Sequence, residues 1–172
     1  VKTPKNIVYY GGKSQQVEKN TRVKARVKAQ ALREIISGKE NVLIMGHRIP
    51  DVDSFGAAVG IYRVASTLGR QTHIVLNEVS TSMKPMVDHF RHHQDYAEGQ
   101  IVSNQQAMEL AGSNTVLVVV DVNKPSITEC PELLRMCKPI VVLDHHRQGT
   151  ESIENATLSY VEAYASSTCE MF

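Results

Sequence analysis

Nine consecutive residues, Gly46-His47-Arg48-Ile49-Pro50-Asp51-Val52-Asp53-Ser54, set one imidazole and two carboxylates in the spacing H-x3-D-x-D. Two further polar groups, Asp121-Val122-Asn123 and Asp144-His145-His146, each follow a run of aliphatic residues. Imidazoles mixed with carboxylates suit Mn²⁺ or a similar borderline ion, whereas all-oxygen sets suit Mg²⁺ or Ca²⁺ and thiolate sets suit structural zinc. The ligand candidates are His47, Asp51, Asp53, Asp121 and His145. Asp51 and Asp53 could each face a different ion. Two ions about 3.5–4 Å apart need a shared carboxylate, and Asp121 is the natural bridge. Water held between such ions loses a proton near neutral pH and can attack phosphorus, while the ions neutralise charge in the transition state.

These groups need a scaffold that brings them together. Val42 to Met45 is a short apolar run ending at Gly46, as a buried strand would. Ser54 is placed to cap a helix that runs to about Leu68 and stops at Gly69. Gly56, Ala57, Ala58 and Gly60 would let that helix lie close to a sheet. Further strands are predicted over residues 73–77, Thr115 to Val120, Pro139 to Leu143 and Thr157 to Val161. Helices are predicted over Met83 to His93, Asn104 to Gly112, residues 131–137, and from Ala165 onward with Ser166 and Ser167 at the cap. Strands alternating with helices give an α/β fold, a parallel sheet with helices on both faces. In such sheets ligands gather outside the carboxyl ends of the strands, where all three polar clusters fall.

Each residue taken alone has a plainer reading. A single histidine at a strand end is more often a polar surface residue than a ligand. Asp51 or Asp53 could simply cap the helix after Pro50. An aspartate after a hydrophobic strand is common for reasons of turn geometry. His92-His93 also lies on a predicted helix and is assigned no role. The convergence of three strand–helix junctions is what favours a metal site.

The 172 residues suffice for one domain with a real core and a flanking segment. The formal charge of +1 gives no sign of a nucleic-acid or membrane partner. Cys130, Cys137 and Cys169 are scattered and odd in number, which argues against a disulfide framework and fits a reducing compartment. No apolar stretch reaches the ~18–20 residues of a membrane helix, and no signal peptide is visible. Ile7 to Tyr10 reads as an edge strand ended by Gly11-Gly12. Residues 19–37 read as a helix with Val23, Val27, Leu32, Ile35 and Ile36 on one face, and lysines and arginines over the rest. That basic surface is either a solvated face or a connector that docks another domain or an anion.

The string from Gly46 to Ser54, with Asp144-His145-His146, resembles the DHH phosphoesterase superfamily over residues 41–172. By position, the resemblance makes His47, Asp51 and Asp121 ligands of one metal, and Asp53, Asp121 and His145 ligands of the other. It makes Asp121, His145 and His146 the catalytic group, with His146 contacting phosphate and able to donate a proton. Asp144, Arg48 and Asn123 would brace the ligands from behind. Tyr9-Tyr10-Gly11-Gly12-Lys13, the stretch Glu18 to Arg26, and Ala165-Ser166-Ser167 with Glu170-Met171 resemble GdpP/YybT-type cyclic-di-AMP phosphodiesterases.

That resemblance implies residues 1–18 as the end of a degenerate GGDEF-like domain, 19–40 as a basic linker helix and 41–172 as a Rossmann-like DHH domain. It also implies two Mn²⁺ ions, a cyclic dinucleotide opened to linear pApA, and a membrane-anchored, homodimeric parent with this domain on the cytoplasmic face, itself making no membrane contact. A sixth ligand and a DHH-associated domain would lie beyond residue 172, so the segment alone is expected to be nearly inactive. The competing expectations are another DHH enzyme, acting on pAp, short RNA or single strands, and a non-catalytic nucleotide sensor.

Overall fold

The computed structural model describes residues 14–147, 149–163 and 165–171; the strand expected at Ile7 to Tyr10 lies outside them. In chain order the elements are α1 (Ser14–Ser37), β1 (Asn41–Met45), α2 (Val52–Thr67), β2 (Gln71–Val75), α3 (Lys84–His92), β3 (Ile101–Val102), α4 (Asn104–Leu110), β4 (Thr115–Val120), α5 (Leu133–Met136), β5 (Ile140–Asp144) and β6 (Leu158–Val161). Short 3-10 turns occupy Pro125–Ile127 and Thr168–Met171. The six strands form one parallel sheet in the order β3-β2-β1-β4-β5-β6. This is an α/β fold of doubly wound type, with the strand order reversing between β1 and β4.

The central strands are nearly continuous apolar runs because both faces of the sheet are covered. Val42, Ile44, Val116, Val118 and Val120 point to one side, against Leu32 and Ile36 of α1, Phe55 and Ile61 of α2, and Val87 and Phe90 of α3. Leu43, Met45, Leu117 and Val119 point to the other, against Ala107 of α4 and Leu133 and Leu134 of α5. Edge-to-face contacts of Phe90 with Phe55 and Tyr62 pin α3 to α2.

Several expectations change. The first helix starts earlier, at Ser14, and its predicted apolar face is only half used: Leu32 and Ile36 are buried, while Val23 and Val27 are exposed. Its basic surface ties to the sheet edge through Lys28 Nζ, which donates to Ser159 O at 3.1 Å. β2 begins two residues before the predicted strand, because Gln71 and Thr72 pair with Asn41 and Val42 whatever their polarity. β3 has only two residues, too few to show a period. Asp51, not Ser54, caps α2: its Oδ1 accepts from the Ser54 N–H at 2.9 Å. The helix expected from Ala165 is instead the 3-10 turn at Thr168–Met171.

Candidate metal centre

β1, β4 and β5 are neighbours in the sheet, so their carboxyl ends lie side by side at the point where strand order reverses. His47 leaves β1 through Gly46, Asp121 directly follows β4, and His145 directly follows β5. Gly46 keeps this junction tight: a Cβ built on it would sit 2.0 Å from Ser54 Oγ and make the hydroxyl turn away, because the start of α2 lies close over the end of β1. Segment 127–129 runs antiparallel beside 46–48, with Arg48 N–H donating to Ile127 O and Glu129 N–H to Gly46 O. That pairing fixes the His47 backbone.

Asp121 is the centre of the arrangement. It is 2% exposed and holds φ at +59°, a left-handed conformation that costs a non-glycine residue energy. The turn sets its carboxylate between two imidazoles. Oδ2 lies 3.4 Å from His47 Nε2, and Oδ1 lies 3.4 Å from His145 Nε2. Asp51 Oδ2 is 3.6 Å from His47 Nε2, and Asp53 Oδ2 is 3.5 Å from His145 Nε2. All five ligands expected from the sequence therefore meet at one sheet edge, in two groups that share Asp121.

Three carboxylates and two imidazoles this close fit a pair of divalent cations. The nitrogen–oxygen separations exceed good hydrogen bonds. Three of the four match the edge of a coordination polyhedron with bonds near 2.1 Å, roughly 3.0–3.5 Å, and the fourth, His47 to Asp51, is 3.6 Å. Without a cation, the buried Asp121 carboxylate with two more carboxylates close by would be costly. Asp51 illustrates how two roles combine, since capping uses Oδ1 and leaves Oδ2 toward His47. The His47 imidazole is held above its ordinary pKa, chiefly by the Asp121 carboxylate beside it, against the opposing effect of burial.

The Asp53 side has a support the sequence did not reveal. Thr168 N–H donates to Asp53 Oδ2 at 2.8 Å and Cys169 N–H to Oδ1 at 3.0 Å. Burial raises the Asp53 carboxyl most, but these two N–H groups, with the Cys169 thiol and the nearby His145, together hold it below the usual range. Thr168 Oγ1 also donates to Asp121 Oδ1 at 2.8 Å. Gly56 lets the turn close, because a Cβ there would come within 2.8 Å of Cys169 Sγ. A carboxylate has about four lone-pair sites, so Asp53 can keep these bonds and still face an ion. The available signal was the polar group at 165–170 following the last strand at the same edge.

His146 stands beside the pair. Its Nδ1 is 2.7 Å from Asp144 Oδ1, and Asn123 Nδ2 donates to the other Asp144 oxygen. Asp144 and Asn123 are buried and brace His146 in this way. The two sets whose ligand atoms all lie close together are His47–Asp51–Asp121 and Asp121–His145–His146, while Asp53 reaches His145 at 3.5 Å and stands farther from Asp121. The short bond to Asp144 engages His146 Nδ1, so Asp53 is the better third donor beside His145. Arg48 does not brace a ligand: it is exposed, and its guanidinium donates to Ser126 O at 3.4 Å. Glu129, which the sequence reading passed over, is buried with Oε1 accepting from Asn77.

Comparisons with known proteins bear on the family and the fold. The model of the DHH family, N-terminal domain, matches residues 41–172. The chain is 41% identical over 174 residues to the cyclic-di-AMP phosphodiesterase GdpP of Bacillus subtilis, covering 99% of this chain and 26% of that protein. It is 39% identical over 174 residues to the cyclic-di-AMP phosphodiesterase PdeA of Listeria monocytogenes, with 99% and 26% covered. An exopolyphosphatase-related protein from Bacteroides fragilis shares the fold, with a TM-score of 0.67 at 16% identity over 85% of this chain and 42% of its own. The chain thus spans about a quarter of the length of the curated relatives it matches.

Proposed function

The chain belongs to the DHH family, and on that premise we propose that it supplies the metal-binding part of a phosphodiesterase that opens cyclic-di-AMP to linear pApA. The observation that carries this reading is the Asp121 carboxylate set between His47 and His145, one oxygen toward each. His47, Asp51 and Asp121 would hold one Mn²⁺, and Asp53, Asp121 and His145 the other; mixed nitrogen and oxygen donors favour that ion. When bound, the two ions supply Lewis-acid activation of water and neutralise charge at phosphorus.

The chain's own residues do the rest. The strained turn at Asp121 and the cap at Asp51 fix carboxylate directions before substrate arrives, so little reorganisation is needed. Asp144, held in turn by Asn123, engages His146 Nδ1 and leaves the opposite ring edge free to hand a proton to the departing ester oxygen. In this reading the whole protein is membrane-anchored and homodimeric, with this domain on the cytoplasmic side and a following substrate domain closing the site. Among the described residues no helix is long and apolar enough to cross a membrane.

The test is turnover by the full-length protein with Mn²⁺, comparing cyclic-di-AMP, pApA, pAp and pyrophosphate. Cyclic-di-AMP should have the highest kcat/KM, with pApA as product and no turnover in EDTA. A higher kcat/KM for pAp or pyrophosphate would replace the proposed substrate.

A further inference from the structure

A cleft of about 560 Å³ opens beside Asp121 and His146, within the usual range of about 300–1,000 Å³ for small-molecule sites. Its lining divides by chemistry. Arg48, Lys124 and Arg147 bring three cations from three separate strand-end loops. Ile49 and Ile127 bring two apolar side chains that are 83% and 49% exposed. Such exposure of isoleucine beside a polar centre marks a surface meant to be covered. The two isoleucine-bearing loops are tied together, Arg48 N–H donating to Ile127 O at 2.8 Å, so the apolar pair is held in place. The nearby acid Glu151 already accepts from Ser126 N–H and Oγ, and Arg48 donates to Ser126 O and lies near Glu132, so Lys124 and Arg147 carry most of the positive charge offered to an outside anion.

We propose that this cleft binds the nucleotide unit that is not being cleaved, with Ile49 and Ile127 against its base and Lys124, Arg147 and Arg48 on its phosphate. The inference rests on the phosphodiesterase reading above. A cyclic dinucleotide carries two phosphodiesters and two bases. When one phosphate sits at Asp121 and the two histidines, the other half of the ring must lie to one side. The cleft is the adjoining space that offers positive charge and apolar surface together. The five residues therefore set affinity and substrate size, and do not take part in bond breaking.

The experiment compares full-length protein with Lys124→Ala/Arg147→Ala and Ile49→Ser/Ile127→Ser variants, all at exposed positions, each checked for an unchanged melting temperature. Two substrates are used, cyclic-di-AMP and bis(p-nitrophenyl) phosphate, which has no second nucleotide. The charge variant should raise KM for cyclic-di-AMP roughly 10- to 100-fold, the range for lost charge-assisted hydrogen bonds. That KM should also lose most of its dependence on ionic strength. The isoleucine variant should raise KM about 3- to 30-fold with its salt dependence intact. Turnover of bis(p-nitrophenyl) phosphate should stay within about twofold in both, as expected when only binding of the remote group is lost. Normal cyclic-di-AMP KM values in both variants would overturn the cleft assignment. No cyclic-di-AMP hydrolysis by the unaltered protein would instead overturn the phosphodiesterase reading. Binding of a fluorescent cyclic-di-AMP analogue in EDTA then tests the cleft separately: equal affinity in all three proteins rejects it.

Discussion

The two halves of the candidate metal centre are built from different parts of the chain. The first, His47 and Asp51 with Asp121 Oδ2, lies almost wholly within one strand-to-helix turn. Its outer carboxylate is exposed, and its geometry comes from local devices: Gly46, the helix cap at Asp51 and the pairing of 46–48 with 127–129. The second, Asp53 and His145 with Asp121 Oδ1, gathers support from far along the chain. There Thr168 and Cys169 direct their N–H groups at Asp53, and Ala165 O lies 3.3 Å from His145 Nδ1. One half is thus prearranged by neighbours in sequence and the other by the closing turn after β6. The two should differ in how readily they take up and release an ion.

Removing what they share should have the largest effect. In the full-length protein Asp121→Ala should lower cyclic-di-AMP turnover by about a thousandfold or more, comparable to losing a principal transition-state contact. Manganese content, measured by elemental analysis, should fall in step, since neither half keeps its ligand set. Retained turnover would remove Asp121 from the centre of the mechanism.

A chemical probe separates the halves next. Cys169 is the exposed cysteine and belongs to the second half, its Sγ donating to Asp53 O at 3.4 Å. Burial first, and then the Asp53 carboxylate, push its thiol up to about 11. A raised thiol pKa keeps the sulfur protonated, so at pH 8 only about one thiol in a thousand is thiolate, against roughly a quarter for an ordinary cysteine. Iodoacetamide labelling of metal-free protein should therefore run roughly two-hundredfold slower than for a free thiol, and rise about tenfold per pH unit until pH approaches 11. Added Mn²⁺ should speed labelling, because a cation beside Asp53 offsets the charge that holds the proton. Labelling at the rate of a free thiol, insensitive to Mn²⁺, would mean the closing turn does not sit on Asp53.

Thr168→Val tests the same support more gently. It deletes the hydroxyl bond to Asp121 and keeps the N–H to Asp53. The Mn²⁺ dissociation constant of the Asp53–His145 half should worsen about tenfold, at the low end for an outer support of a metal ligand, while that of the His47–Asp51 half stays unchanged. Equal weakening of both would show that the halves are not independently supported.

The same contrast explains what the sequence revealed. His47, Asp51 and Asp53 are legible because four to six residues of turn leave little freedom in how they meet. Asp121 and His145 are legible because aliphatic runs ending in polar residues mark strand ends, and a parallel sheet brings such ends to one edge. Thr168 was hidden, since its value depends on a turn that meets α2 across more than a hundred residues of chain. Residues 165–171 look locally like a helix start, yet the carboxylate of Asp53 draws the Thr168 and Cys169 N–H groups and a 3-10 turn results. The left-handed Asp121 was equally hidden, because aspartate is common at such turns in any conformation. β2 and β3 were misjudged or missed because pairing register, not local hydropathy, sets their ends.

The smallest expected effect concerns the first half, where capping and ion binding fall on different oxygens of Asp51. Asp51→Ala removes the acceptor for the Ser54 N–H and should cost about 1 kcal/mol of stability in the metal-free protein. Asp51→Asn keeps an oxygen in the capping position and removes one charge from a cluster that also holds Asp53 and Asp121. It should therefore melt at or slightly above the unaltered protein while still weakening Mn²⁺ binding. Thermal melts in EDTA, paired with Mn²⁺ titrations, read the two quantities separately. If the asparagine variant lost as much stability as the alanine one, the Oδ1 bond would not be what starts α2. The local, self-sufficient character assigned to this half would then fail.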